Sequence, residues 1–319
     1  MEAMTADTLA ARAARLAAGA PPLPEEAPGI GDYRGYAEVV RALADLSAAG
    51  ARAEVIGHSV RGEPLWCLAL GPESATETAV LIAGIHPIEW VGVETGLAAL
   101  ARLVASPPPV RVLAFPLVNV DGYRRVEANL RRGRRRFVRT NANGVDLNRN
   151  WPVNFRARRG PTSVIAGWND GGPAPLSEPE IAAVVDRLDR EARHARITRA
   201  LSLHSIGRRI LYPYGGRWRA PDDAAAHRAA ADRLRARLPA RYAVGQSARW
   251  VPGLFAFGME LDTLRDRYGA LSLLVECSWG GASPVRPSSL LSPFRWFNPS
   301  GAGEARAMAE AACDFLTTT

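Results

Sequence analysis

Residues 81–90 read LIAGIHPIEW, with a histidine three positions ahead of a glutamate directly behind an apolar run. On one turn, that spacing supplies an imidazole nitrogen and a carboxylate oxygen, the short ligand pair of a catalytic zinc centre that takes its third ligand from far along the chain. The competing reading is a turn at the edge of a core. Two more groups of suitable type end apolar runs elsewhere: His204 closes RALSLH (199–204) and Glu276 closes LSLLVE (271–276). Ligands in α/β sheets gather outside the carboxyl ends of strands, so coincidences at three such ends weigh against the bland reading. His58, His194 and His227 lie in turn or arginine-rich helical contexts, which leaves His204 to join His86 and Glu89. Two imidazoles and a carboxylate with an open fourth position make a zinc set in which bound water falls to a pKa of about 7. Cys67, Cys277 and Cys313 are odd in number and widely spaced, so they indicate neither a disulfide framework nor a thiolate cluster. Any metal falls to histidine and carboxylate.

The elements that position these groups can be read from apolar patterning. Strands are expected at 53–58, 64–70, 79–84, 111–118, 199–204 and 271–276, and helices at about 5–18, 35–48, 90–105, 177–191, 222–238 and 302–316. SEPE opens the fourth helix, with Ser177 as cap, Pro179 in the first turn and Glu180 completing a capping box. The alternation is that of an α/β fold, helices covering a mostly parallel or mixed sheet. Residues 119–176 are long, polar and rich in Gly, Asn and Arg, with little regular structure expected; such a loop in a compact domain is functional or disordered.

A chain of 319 residues, 47% of them hydrophobic, suffices for a sizeable core and argues against disorder. Residues 1–20 offer no uninterrupted apolar stretch of the kind a secretory signal or membrane helix needs, so the expected location is the cytoplasm and no membrane partner is expected. The net charge is +8 and every basic residue is arginine. The densest cluster, RRGRRRFVR (131–139), lacks the interleaved aromatics and binding module of a nucleic-acid surface. It reads as a solvated basic loop that favours anionic substrates, with no nucleic-acid partner and no obligate protein partner expected.

HPIEW, NANGVDLNRNW, SEPE, SLHSIGRRILYPYGG and LLVE occur in an order and at separations that resemble the zinc carboxypeptidase A/B family, and VIGHSVRGEPLWCLALG resembles its opening strand pair. The resemblance covers about residues 35–315. It implies a single α/β domain at 35–319, a mixed twisted central sheet flanked by helices on both faces, behind a helical extension and linker at 1–34. It implies one Zn2+ per chain on His86, Glu89 and His204, with Glu276 as the base that deprotonates the zinc-bound water. A base must be near the metal and not on it, because a ligating carboxylate has lost its basicity. Asp146 resembles the carboxylate that accepts the free ring N–H of His86. Asn148 and Arg149 resemble the pair that binds a substrate's terminal carboxylate, for which a guanidinium fork is a natural partner. Arg139 resembles the arginine that polarises the scissile carbonyl.

The chain also departs from that pattern. Ile88 stands where digestive members carry an arginine between the first two ligands, so one carboxylate contact is missing. The stretch VPGLFAFGMELD has no tyrosine where the family carries a mobile one; Leu254 or Phe255 sits near that place, and Tyr242 and Tyr268 are misplaced by the count, although loop length could bring Tyr242 there. Leu261 falls where the family floors its specificity pocket, which argues against a basic terminal side chain. The reaction implied is exopeptidase cleavage of a C-terminal peptide bond, in a peptide or wall-peptide fragment. The alternative is a zinc amidase or deacylase acting on γ-linked or N-acyl amino acids; either takes a substrate with a free carboxylate.

Overall fold

The computed structural model describes residues 6–19, 32–157, 170–238, 241–251 and 253–318. Eight strands form one mixed sheet: β1 (Arg52–His58), β2 (Pro64–Leu70), β3 (Glu77–Ala83), β4 (Arg111–Phe115), β5 (Arg196–His204), β6 (Arg209–Tyr212), β7 (Ala243–Gln246) and β8 (Leu271–Glu276). Their order across the sheet is β1-β2-β4-β3-β5-β8-β6-β7. The central run β4, β3, β5 and β8 is parallel, and the antiparallel β2 and β6 flank it.

Burial on both faces explains why the central strands read as continuous apolar runs. Successive residues alternate between two layers, as the two-residue strand period requires. Leu81, Leu203 and Val275 pack under α2 (Tyr36–Ala48), α3 (Trp90–Ala105) and α10 (Gly303–Thr317). Val80, Ile82 and Ala200 pack under α5 (Pro179–Ala192) and α7 (Glu260–Tyr268). Helix α6 (Ala224–Ala236) contributes Ala230 and Leu234 to the first layer. Helix α1 (Ala6–Gly19) packs on α2 through Leu9, and its Arg12 pairs with Glu63. The linker expected behind it falls mainly on residues 20–31, outside the described residues.

Three expectations change. Within 119–176, Val120–Arg131 is a helix (α4), capped by the Asn119 side chain accepting from the Gly122 amide at 3.0 Å. Its buried stripe, Val120, Tyr123 and Val126, is interrupted by exposed arginines that hide the period. Strand β4 stops at Phe115, ahead of Pro116, which has no N–H to give a ladder. Ser177 does not cap α5: Glu178 holds the cap position, Ser177 Oγ donates to Glu178, and Pro179 occupies the first turn as expected. The short β6 and β7, α7, and two single-turn helices, α8 (Pro287–Leu290) and α9 (Pro293–Phe297), also lie outside the sequence expectations.

Helix α3 lies close on β5. A Cβ added at Gly92 would meet the Leu203 carbonyl oxygen at 2.7 Å, a backbone atom that cannot swing away. Gly92→Ala is therefore expected to destabilise the fold by about 1–3 kcal/mol, the usual cost of overpacking. Urea midpoints measure it, and an unchanged midpoint would mean that α3 has slack there.

Candidate metal centre and substrate cavity

The sheet brings three of the sequence-predicted groups to one edge. His204 is the last residue of β5 and Glu276 the last of β8, and they are direct cross-strand partners. His86 follows β3 in a turn that closes with the Glu89 amide donating to the His86 carbonyl at 3.2 Å. That turn is held from beneath by Asn119, whose side chain donates to the Ile85 carbonyl and whose amide donates to the Gly84 carbonyl. Glu89 then starts α3 at its cap position.

His86 Nδ1 lies 2.9 Å from Glu89 Oε1, His204 Nδ1 lies 3.1 Å from Glu89 Oε2, and the two Nδ1 atoms are 3.1 Å apart. Among the described residues this is the one group of metal-ligating side chains whose donor atoms all lie within 4.8 Å of one another. All three residues are buried. The outward ring nitrogens are occupied by carboxylates: His86 Nε2 is 3.1 Å from Asp146 Oδ1, and His204 Nε2 is 3.0 Å from Glu260 Oε1. Carboxylates at both Nε2 positions favour the proton there and leave each Nδ1 lone pair for the centre, the tautomer a metal ligand requires. The donor set therefore fits a zinc ion held by His86, Glu89 and His204. Burial pushes the Glu89 carboxyl up, but His86 and His204 outweigh it and hold it at about 2, so Glu89 is an anion.

Asp146 is also anchored elsewhere. Arg139 Nε donates to its Oδ2 at 2.8 Å and the Asn148 amide to its Oδ1 at 3.0 Å. Burial alone would raise its pKa; Arg139, His86 and Arg149 instead hold it well below the carboxylate range. The loop that carries these residues is built by asparagines. Asn141 Oδ1 accepts from the Asn143 and Val145 amides, and Asn150 Nδ2 donates to the Gly171 and Ala174 carbonyls. Loop side chains thus satisfy backbone groups that no helix or sheet would.

Glu276 is buried beside the ligands, and its Oε2 has no hydrogen-bond partner. Burial, and after it the negative charge of Glu89, push Glu276 up to about 8, against the pull of His204 and Arg139. A carboxyl raised in this way is a stronger base than an exposed one.

These side chains open onto a cavity of about 360 Å³ whose lining includes His86, Glu89, Arg139, Asn148, Arg149, His204 and Glu276. Leu211, Ser247, Ala256, Met259 and Leu274 also line it, with Trp250, Val251, Leu254, Phe255 and Phe297. Leu261 is not in that lining. It is fully buried against Leu211, Met259 and Leu274, so the expected pocket floor lies one layer behind the surface that faces the cavity. Leu254 and Phe255, which stand near the place of the family's tyrosine in the sequence, border the cavity. Tyr242 and Tyr268 do not replace the missing tyrosine: their hydroxyls donate to the Cys277 carbonyl and to Asp189. The side chain of Ile88 is fully buried in the core under α3. Arg132, Arg134, Arg135 and Arg136 are exposed, as a solvated basic loop should be. Glu260 is absent from the sequence expectations, which name only its neighbour Leu261; an acid at the start of a helix gives no signal that it backs a histidine fifty-six residues earlier.

The profile of the zinc carboxypeptidase family matches residues 36–260, and the chain belongs to that family. It is 36% identical to human carboxypeptidase A6 over 173 residues, half of this chain and 39% of that protein. It is 30% identical to mouse carboxypeptidase A2 over 183 residues, 53% of this chain and 42% of that protein, so the match spans about two fifths of these relatives. Among solved structures, carboxypeptidase A from Helicoverpa armigera superposes with a TM-score of 0.69 at 21% identity, covering 96% of this chain and 80% of that one. A murein-tripeptide amidase from Escherichia coli superposes at 0.51 with 20% identity, covering 84% and 92%. These two likenesses speak for the fold.

Proposed function

We propose that this chain is a zinc-dependent exopeptidase that hydrolyses the C-terminal peptide bond of a peptide or wall-peptide fragment, with one zinc per chain. The observation that carries this reading is the meeting, in one cavity, of the His86–Glu89–His204 trio, the unpartnered Glu276 oxygen and the Asn148–Arg149 pair. Zinc, when bound, supplies a Lewis acid that polarises the scissile carbonyl and acidifies water. Glu276 takes the proton of the attacking water and returns it to the departing amine, the two halves of general acid–base catalysis. Arg139, fixed by Asp146, directs its guanidinium at the carbonyl oxygen as negative charge grows there. Asn148 and Arg149 hold the terminal carboxylate. The apolar part of the lining, with Leu211, Ala256, Met259 and Leu274, takes an apolar terminal side chain.

The proposal keeps the chain in the cytoplasm, in keeping with the free thiols of Cys67, Cys277 and Cys313. No helix among the described residues is long and apolar enough to cross a membrane. A second reading, a zinc amidase or deacylase acting on γ-linked or N-acyl amino acids, draws on the burial of Ile88, which leaves fewer groups to grip a terminal carboxylate.

Arg149 tests the grip on a free terminal carboxylate on which the exopeptidase reading depends. Truncating one partner of a buried charge pair costs roughly 2–5 kcal/mol, so Arg149→Ala is expected to lower kcat/KM by about thirtyfold or more. Amidating the substrate's terminus should penalise the wild type similarly. The two losses should not add, since both delete one contact. Equal cleavage of free and amidated substrates by the wild type would rule out a carboxypeptidase.

A further inference from the structure

We propose that Glu260 is a positioning residue of the metal centre, holding the His204 ring in the tautomer and orientation that turn Nδ1 to the metal. The inference rests on the zinc reading of His86, Glu89 and His204. Glu260 is the first residue of α7 and is fully buried, with Oε1 3.0 Å from His204 Nε2 and Oε2 without a partner. A buried carboxylate with one idle oxygen is costly, and the packing of α7 does not call for it, since Leu261 and Leu264 fill the core. Glu260 does not line the cavity either, so it is not placed to touch substrate.

The chemistry of His204 Nε2 supplies the reason for an acid here. Its other neighbour, Ser202 Oγ, lies at 3.0 Å, and a hydroxyl can donate or accept. Ser202 alone would tolerate either tautomer. A carboxylate oxygen 3.0 Å from Nε2 offers lone pairs, so Glu260 favours the proton on Nε2 and leaves the Nδ1 lone pair for the centre.

The arrangement mirrors Asp146 behind His86, and one residue ties the two together. The Asn148 amide donates to Asp146 Oδ1, and the Glu260 amide donates to Asn148 Oδ1 at 3.3 Å. A continuous frame thus runs His86–Asp146–Asn148–Glu260–His204, and the residue expected to touch the substrate carboxylate sits in its middle.

The test is zinc affinity, measured by competition with a chromogenic chelator, in wild type, Glu260→Gln and Glu260→Met. Loss of such a ring partner typically weakens metal binding about 10 to 100-fold. Glu260→Met is expected toward the upper end and Glu260→Gln toward the lower, because an amide oxygen can still accept. Zinc release to excess chelator should quicken in the same order, and KM at saturating zinc should stay near wild type. A role confined to supporting the substrate cavity from behind would move KM and leave the zinc constant alone, which would overturn the proposal. If Glu260→Met does not fold by circular dichroism, Glu260→Gln against Ser202→Ala decides: the proposal requires weaker zinc binding in the first than in the second. A wild type that binds no zinc would sink the zinc reading itself, whereas tight wild-type binding with unchanged variants would sink only the role of Glu260.

Discussion

Glu276→Gln is expected to lower kcat by about 10² to 10⁴ while leaving the zinc content at the wild-type level, the range typical for removing a general base. The substitution keeps the shape and burial of the side chain, so packing is not disturbed. Glu276 is no member of the trio whose donor atoms converge, so the metal keeps its ligands. The amide also lacks the charge that burial and Glu89 penalise in the parent, so the variant should fold at least as well. Metal analysis alongside turnover on the best dipeptide found gives both numbers from one preparation. Normal turnover in the variant would assign the base elsewhere.

A larger loss is expected when His204 becomes alanine. His204 supplies one of three donor atoms and joins β5 to the turn after β3, so His204→Ala leaves a two-ligand site on Glu89 and His86. Two ligands do not hold zinc at catalytic strength, since three-ligand sites are the working minimum in catalytic centres. Bound zinc should fall well below one per chain and hydrolysis to the uncatalysed background, with far-UV circular dichroism unchanged. Wild-type stoichiometry in this variant would remove His204 from the ligand set.

Much of this site could be read from the sequence because its groups close elements with strong patterns. Strand β8 and helix α3 fall at the residues that apolar runs and periodicity mark, with Glu276 at the end of the first and the His86–Glu89 turn ahead of the second, and β5 ends at His204 where its apolar run ends. What escaped lies where local pattern is weak. Helix α7 carries only two aliphatic positions, Leu261 and Leu264, among acids and arginines, so its tertiary burial outweighs a poor intrinsic signal. Glu260 and the retreat of Leu261 from the cavity surface both follow from how that helix seats against β5 and β8, a long-range matter that spacing does not encode. The arginines of α4 concealed a stripe that only the packed partner α2 reveals.

The pairing of His204 with Glu276 across β5 and β8 also bears on how the chain avoids misfolding. Strand side chains alternate, so a slip of β8 by one residue would turn Glu276 toward the layer that holds Leu203, Val275 and Trp90, and Val275 toward the ligands. A lone carboxylate among those side chains would cost several kcal/mol or force it to take up a proton. Mispaired intermediates are thereby penalised by the same residue whose placement they would spoil. A β8 strand paired in the native register sets the Glu276 carboxyl one strand spacing from the His204 ring.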